Sequence, residues 1–146
     1  MEIKIKQVDA FTSIPFGGNP AGVVTDAAAL SDELKQKIAR EMNLSETAFV
    51  SPSKVADFKV QFFTPRFEVD LCGHATIGTF AALYEEGKLA AGKNIFFQET
   101  RAGVLPVELT SINNEKIFMM TQALPKFELF DMNKSEVAGL MGLKEE

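Results

Sequence analysis

Residues 75–84 (ATIGTFAALY) carry no charge, and only Glu85-Glu86-Gly87 closes the run. A helix lying on a protein surface keeps a polar face, so a helix with none must be wrapped on nearly all sides by other elements. A charged, strand-like segment leads into it through Cys72-Gly73-His74-Ala75-Thr76. A strand running into the start of a buried helix brings free backbone N–H groups and a partial positive charge to one point. There the amides of Gly73, His74 and Ala75 can hold a carboxylate or a developing enolate, and the thiol of Cys72 is expected to shift toward thiolate. A lone cysteine is more often a small buried hydrophobe, and a lone histidine is as readily a cap or a hydrogen-bonded residue. Their adjacency at a helix start, beside a glycine that lets a ligand approach the backbone, shifts both toward function.

The chain has 146 residues, of which 46% are hydrophobic and 24% charged, as in one soluble domain with a proper core. Thirteen Phe against one Tyr and no Trp place the aromatic bulk in residues without a polar tip, which favours core over a stacking surface. A net charge of −5 with scattered Lys and Arg shows no footprint for a phosphate backbone, so a nucleic-acid partner is not expected. The apolar runs are too short to cross a bilayer, a single cysteine forms no internal disulfide, and MEIKIKQVDAF is not a signal sequence; the cytoplasm is the expected compartment. One Cys and one His separated by a single residue leave two ligands of a zinc site to be found among carboxylates, so no metal is expected.

Ile3, Ile5 and Val8 alternate with Lys4 and Lys6 as a half-buried strand. The segment Ile14-Pro15-Phe16-Gly17-Gly18-Asn19-Pro20 is a tight loop, read as a hairpin connection whose amides are available to a ligand. Ser31 is the expected N-cap of a helix with Leu34, Ile38 and Met42 on one face, ending near Asn43. Glu46 then falls in the junction before a strand over 47–50, where most glutamates are exposed charges. Strands follow around Phe58, Val60 and Phe62, around Phe67 and Val69, and over 95–98, 103–110 and 116–121, for seven to eight strands and two helices, an α+β layout. Residues 35–46 (KQKIAREMNLSE) also align with residues 134–145 (KSEVAGLMGLKE) at a constant offset, as if a second copy of a repeat were beginning.

Taken in order, VDAFT from Val8, FGGNPAGV from Phe16, NLSETAFV from Asn43, FFTP from Phe62 and CGHATIG from Cys72 resemble the phenazine-biosynthesis PhzF-like family of the diaminopimelate epimerase-like fold. The resemblance covers essentially the whole chain and corresponds to the first of two similar halves. It implies a mixed, mostly antiparallel sheet curled barrel-like around one central helix, with residues 1–128 as the N-terminal domain and 129–146 as the start of a second, similar domain. It further implies isomerisation or epimerisation without a cofactor, moving a proton at a carbon of a small acid in a cleft between the two domains. By resemblance Glu46 is the general acid/base, His74 with Gly73 orients the substrate, and Asn19 lines the same cleft, with Ala75 and Thr76 at the helix start completing the binding set.

The position of Cys72 is not a cysteine in phenazine enzymes proper. It looks instead like the first of the thiol pair used by amino-acid epimerases and racemases of this fold, whose partner would come from the second half. A site between two domains loses most of its contacts when one is missing. Two readings therefore stand: a PhzF-like isomerase completed by a second domain or a second chain, as in a homodimer, and a non-catalytic self-associating or ligand-binding module that retains the fold.

Overall fold

The computed structural model describes residues 2–113, 115–122, 124–128 and 132–143. Its organising element is the uncharged helix, α2 (Gly73–Glu85), held in a half-barrel formed by one mixed sheet of eight strands. The strands are β1 (Lys6–Ala10), β2 (Asn19–Val24), β3 (Thr47–Ser51), β4 (Phe58–Phe63), β5 (Glu68–Val69), β6 (Ile95–Thr100), β7 (Gly103–Ile112) and β8 (Glu115–Met120). Their order across the sheet is β1-β2-β3-β4-β6-β7-β8, with β5 pairing β4. Pairing is antiparallel except at β2/β3 and β4/β6, as the resemblance implied. Helix α2 packs against β1, β2, β3 and β8. Gly78 allows that approach, because a Cβ there would already touch Val8 at 3.4 Å and Ala21 at 3.8 Å.

Local chemistry accounts for most boundaries. Ser31 Oγ accepts the Leu34 N–H at the start of α1 (Asp32–Met42), and Asn43, in the left-handed region at φ 51, ends it by donating its N–H to the Ala39 carbonyl. The face of α1 that meets the sheet is broader than Leu34, Ile38 and Met42: Lys35 and Ala39 are its fully buried residues, and the Lys35 ammonium bonds Asp32 and Gln61. The first strand starts at Lys6 rather than near Ile3, since Ile3 packs instead beside α1 with Leu34 and Ile38.

Residues 11–18 join β1 to β2 as an antiparallel hairpin connection. The left-handed positions there are Phe11 and Phe16, while Gly18 serves by size: a Cβ would lie 2.2 Å from the Ala10 carbonyl oxygen. Phe49, Phe62, Phe80 and Phe96 are fully buried, each contributing about 1.5–3 kcal/mol by leaving water. A third helix, α3 (Lys134–Leu140), with Asn133 and Glu136 forming a capping box, occupies the aligned repeat segment; Glu145, the last match of that alignment, lies outside the described residues. Among the described residues no helix is long and apolar enough to cross a membrane.

Candidate functional site

Two chain segments deliver the candidate site, and a third begins at the same end of the sheet. The Glu46 junction is pinned to the sheet where its carbonyl accepts the Gly22 N–H, one residue before β3 begins beside parallel β2. Asn19, the first residue of β2, stands exposed at the same end of the sheet. Cys72 is the N-cap of α2 in extended conformation, with no side chain capping its amides.

The junction and the helix start meet at the imidazole of His74. Its Nε2 lies 3.4 Å from Glu46 Oε2 and 3.2 Å from Ser45 Oγ, and its Nδ1 lies 3.2 Å from Cys72 Sγ. The side chain of His74 is 9% exposed and that of Glu46 20%, so a charge on the carboxylate is shielded from most of the solvent yet remains reachable. One donor atom from each of Glu46, Cys72 and His74 lies within 4.8 Å of the others, three of the four that a closed tetrahedral metal site needs, and both ring nitrogens already face a polar partner.

The sulfur departs from expectation. The thiol of Cys72 is not shifted toward thiolate but pushed up to about 11 from an ordinary 9.0, chiefly because it is buried. The N–H groups of Ala75 and His74 face the sulfur and pull the other way, but the nearby Glu46 carboxylate pushes it further up. Burial and a neighbouring carboxylate therefore outweigh the helix field that the sequence pattern brings to the same atom.

The remaining expected residues divide. Gly73 is half-buried at the first position of α2, and a Cβ there would lie 3.2 Å from the Gln122 side-chain amide. Ala75 and Thr76 are fully buried: Ala75 joins a core cluster with Ala21 and Phe62, and Thr76 turns both its N–H (3.1 Å) and its hydroxyl (2.7 Å) onto the Cys72 carbonyl. Buried Gln98 on β6 donates in turn to Thr76 Oγ1 at 3.2 Å, a polar chain that fixes the N-cap from below. Ser45, Gln98 and Gln122 escaped the sequence reading. Ser45 carried a signal, its adjacency to Glu46 in one junction; Gln98 and Gln122 carried none, because only the sheet brings β6 and the exit of β8 to the helix start.

The family model described as phenazine biosynthesis-like protein matches residues 8–146. The chain is 38% identical over 145 residues to an isomerase of Bacillus subtilis (strain 168) named YfhB, covering 99% of this chain and 49% of that protein. It is 39% identical over 139 residues to the trans-2,3-dihydro-3-hydroxyanthranilate isomerase of Pseudomonas aeruginosa, covering 94% of this chain and 48% of the relative. Among solved structures, a Bacillus anthracis phenazine biosynthesis protein of the PhzF family superposes with a TM-score of 0.88 at 44% identity, over 99% of this chain and 48% of that one. A hydroxyproline epimerase from Agrobacterium vitis shares the fold at a TM-score of 0.56 and 12% identity, over 77% of this chain and 38% of that one. The chain thus spans about half the length of the relatives it matches.

Proposed function

This chain belongs to the phenazine biosynthesis-like protein family, and on that premise we propose that it carries the first half of a cofactor-independent isomerase or epimerase that moves a proton at a carbon of a small acid. The observation that supports this most is the Glu46 carboxylate set 3.4 Å from His74 Nε2 at the start of a buried helix. Glu46 takes the proton from carbon, leaving the electron pair delocalised into the adjacent acid or unsaturated group, and returns it at the same or a conjugated carbon. Gly73 and His74 orient the substrate, Asn19 lines the cleft, and the amide-rich start of α2 stabilises the charge that develops. Only a proton moves and the electron pair stays with the substrate, so the reaction needs no redox partner.

On this reading residues 1–128 form the N-terminal domain and 129–146 open the second, similar one, which supplies the opposite wall. That wall comes from the rest of a longer chain or from a partner copy, and the protein works in the cytoplasm. A second reading, a non-catalytic module that associates or binds a ligand through the same fold, draws support from the large apolar side chains left in solvent: Phe11, Ile14 and Phe16 on the hairpin loop and Leu124 and Phe127 beyond β8.

Proton exchange in deuterated water decides between them. Trans-2,3-dihydro-3-hydroxyanthranilate and a panel of α-amino and cyclic acids are incubated with the chain alone and with a version extended to the length of its relatives. The isomerase reading expects deuterium at one carbon of one acid, with Glu46→Gln folded and slower by about 10²–10⁴-fold. Exchange in neither form, together with a dimer in light scattering, supports the module instead. An undiminished rate in Glu46→Gln removes Glu46 from its role.

A further inference from the structure

The polar groups around His74 fall on two sides of its ring. Cys72 Sγ faces Nδ1 at 3.2 Å, while Ser45 Oγ and Glu46 Oε2 face Nε2 at 3.2 and 3.4 Å. A neutral imidazole has one N–H and one bare nitrogen, so these partners cannot both be satisfied by either tautomer at random. With Nδ1–H toward the sulfur, the bare Nε2 would accept the Ser45 hydroxyl but still face the Glu46 carboxylate at 3.4 Å, two acceptors in contact. With Nε2–H toward Glu46, the bare Nδ1 needs a donor, and the thiol is the group standing there.

The surroundings of the sulfur make it that donor. The N–H groups of Ala75 and His74 face it as donors, so its acceptor side is already turned to N–H groups. Its own hydrogen is retained at neutral pH, because burial and the Glu46 carboxylate hold the thiol up near 11, and that hydrogen has two acceptors in reach, Glu46 and the bare Nδ1 at 3.2 Å.

We infer that Cys72 is a positioning residue that donates its S–H to His74 Nδ1 and thereby locks the imidazole in the tautomer that presents Nε2–H to Glu46. The thiol then takes no part as base or nucleophile. Its effect is felt one ring away: a carboxylate anchored by an N–H keeps one oxygen aimed and the other free for a proton. This deepens the reading of Glu46 as a proton-transfer group, yet its test needs no turnover.

His74 and Cys72 are the one histidine and the one cysteine of the chain, so each gives an unobstructed spectrum. Long-range ¹H–¹⁵N correlation on the labelled chain at neutral pH is expected to show a protonated Nε2 and a bare Nδ1. In Cys72→Ala the ratio of Nε2–H to Nδ1–H should fall roughly three- to tenfold, the equivalent of one net hydrogen bond, while Cys72→Ser, which still donates, restores it. The wild-type S–H stretch should be that of a bonded thiol. A wild-type Nδ1–H tautomer, a charged ring, an unbonded S–H stretch, or a Cys72→Ala spectrum identical to wild type each overturns the inference; the last is the result if the thiol donates to Glu46 instead. Should Cys72→Ala not fold, the wild-type ring and S–H spectra decide alone. A bare Nδ1 without exchange on any acid leaves this inference standing and sinks the isomerase reading, and a protonated Nδ1 with active exchange does the reverse.

Discussion

The two ends of α2 hold acidic groups in opposite states, and neither follows the field of the helix. At the N-terminal end, where the axis offers partial positive charge, the Cys72 thiol is pushed up to about 11. At the C-terminal end, where it offers partial negative charge, the Glu86 carboxyl is held down at about 2. Immediate surroundings decide both. Cys72 is buried beside a carboxylate and among the described residues has no cation against it, whereas Glu86 receives the Lys88 ammonium at 2.8 Å, the Thr25 hydroxyl at 2.6 Å and the Lys6 ammonium at 3.2 Å. The helix field is worth about 0.3–1 kcal/mol at an exposed end, less than either desolvation or three direct donors. The polar end near Glu86 borders a cleft of 740 Å³ that contains none of the candidate site residues.

The largest effect expected of this contrast is on thiol reactivity. Moving a thiol from 9.0 to about 11 lowers its thiolate fraction at neutral pH about a hundredfold. Iodoacetamide should therefore label native Cys72 about a hundredfold more slowly than an ordinary protein thiol, and at the ordinary rate in denaturant. Fast labelling of the native protein at neutral pH would mean that the helix field wins at this end after all. The same shift sets an alkaline limit. The neutral thiol is favoured in the folded state, so its contribution to stability is constant below pH 9 and declines as pH rises from 9 toward 11, where the unfolded thiol ionises first.

Next in size is the support beneath that thiol. Thr76→Val keeps the shape of the side chain but strips the hydroxyl that joins the Cys72 carbonyl to Gln98. Leaving these buried groups short of a partner should cost about 1–3 kcal/mol in urea unfolding. It should also loosen the N-cap, making Cys72 label faster in the native state. An unchanged midpoint would show that the Thr76 N–H alone holds the Cys72 carbonyl.

What could be read beforehand follows the same division between local and assembled causes. The caps Ser31 and Asn43, the alternation through Phe58, Val60 and Phe62, and the uncharged run of α2 are local, and the structure contains the helix ends and strands they imply. Cys72 and His74 stand out by their place at the start of an uncharged helix, whereas Glu46, whose junction alone suits an exposed charge, is marked out by the family resemblance. The direction of the Cys72 shift was not visible, since burial is set by β-strands far off in sequence. The same holds for Gln98 and Gln122, which reach the helix start only through the path of the sheet, and for Phe11 and Phe16, which take the left-handed positions of a loop that also holds Gly17 and Gly18.

The smallest effect belongs to the C-terminal end and gives the comparison its opposite sign. Glu86→Gln keeps the shape of the side chain while removing the charge that gathers Lys6, Lys88 and Thr25, and so loosens the tie between α2 and strands β1 and β2. The group is a quarter exposed and its cations are partly solvated, so about 0.2–1 kcal/mol at neutral pH is expected. A carboxyl lowered by folding stabilises the native state only where it is ionised: in full above its ordinary 4.5, and progressively less as pH falls toward 2. Urea midpoints of wild type and Glu86→Gln should accordingly differ at pH 7, approach each other between pH 4.5 and 2, and differ less in high salt, which screens exposed pairs. A gap that persists unchanged to pH 2 would assign the effect to packing around residue 86, and the contrast between the two ends of α2 would then rest on the buried thiol alone.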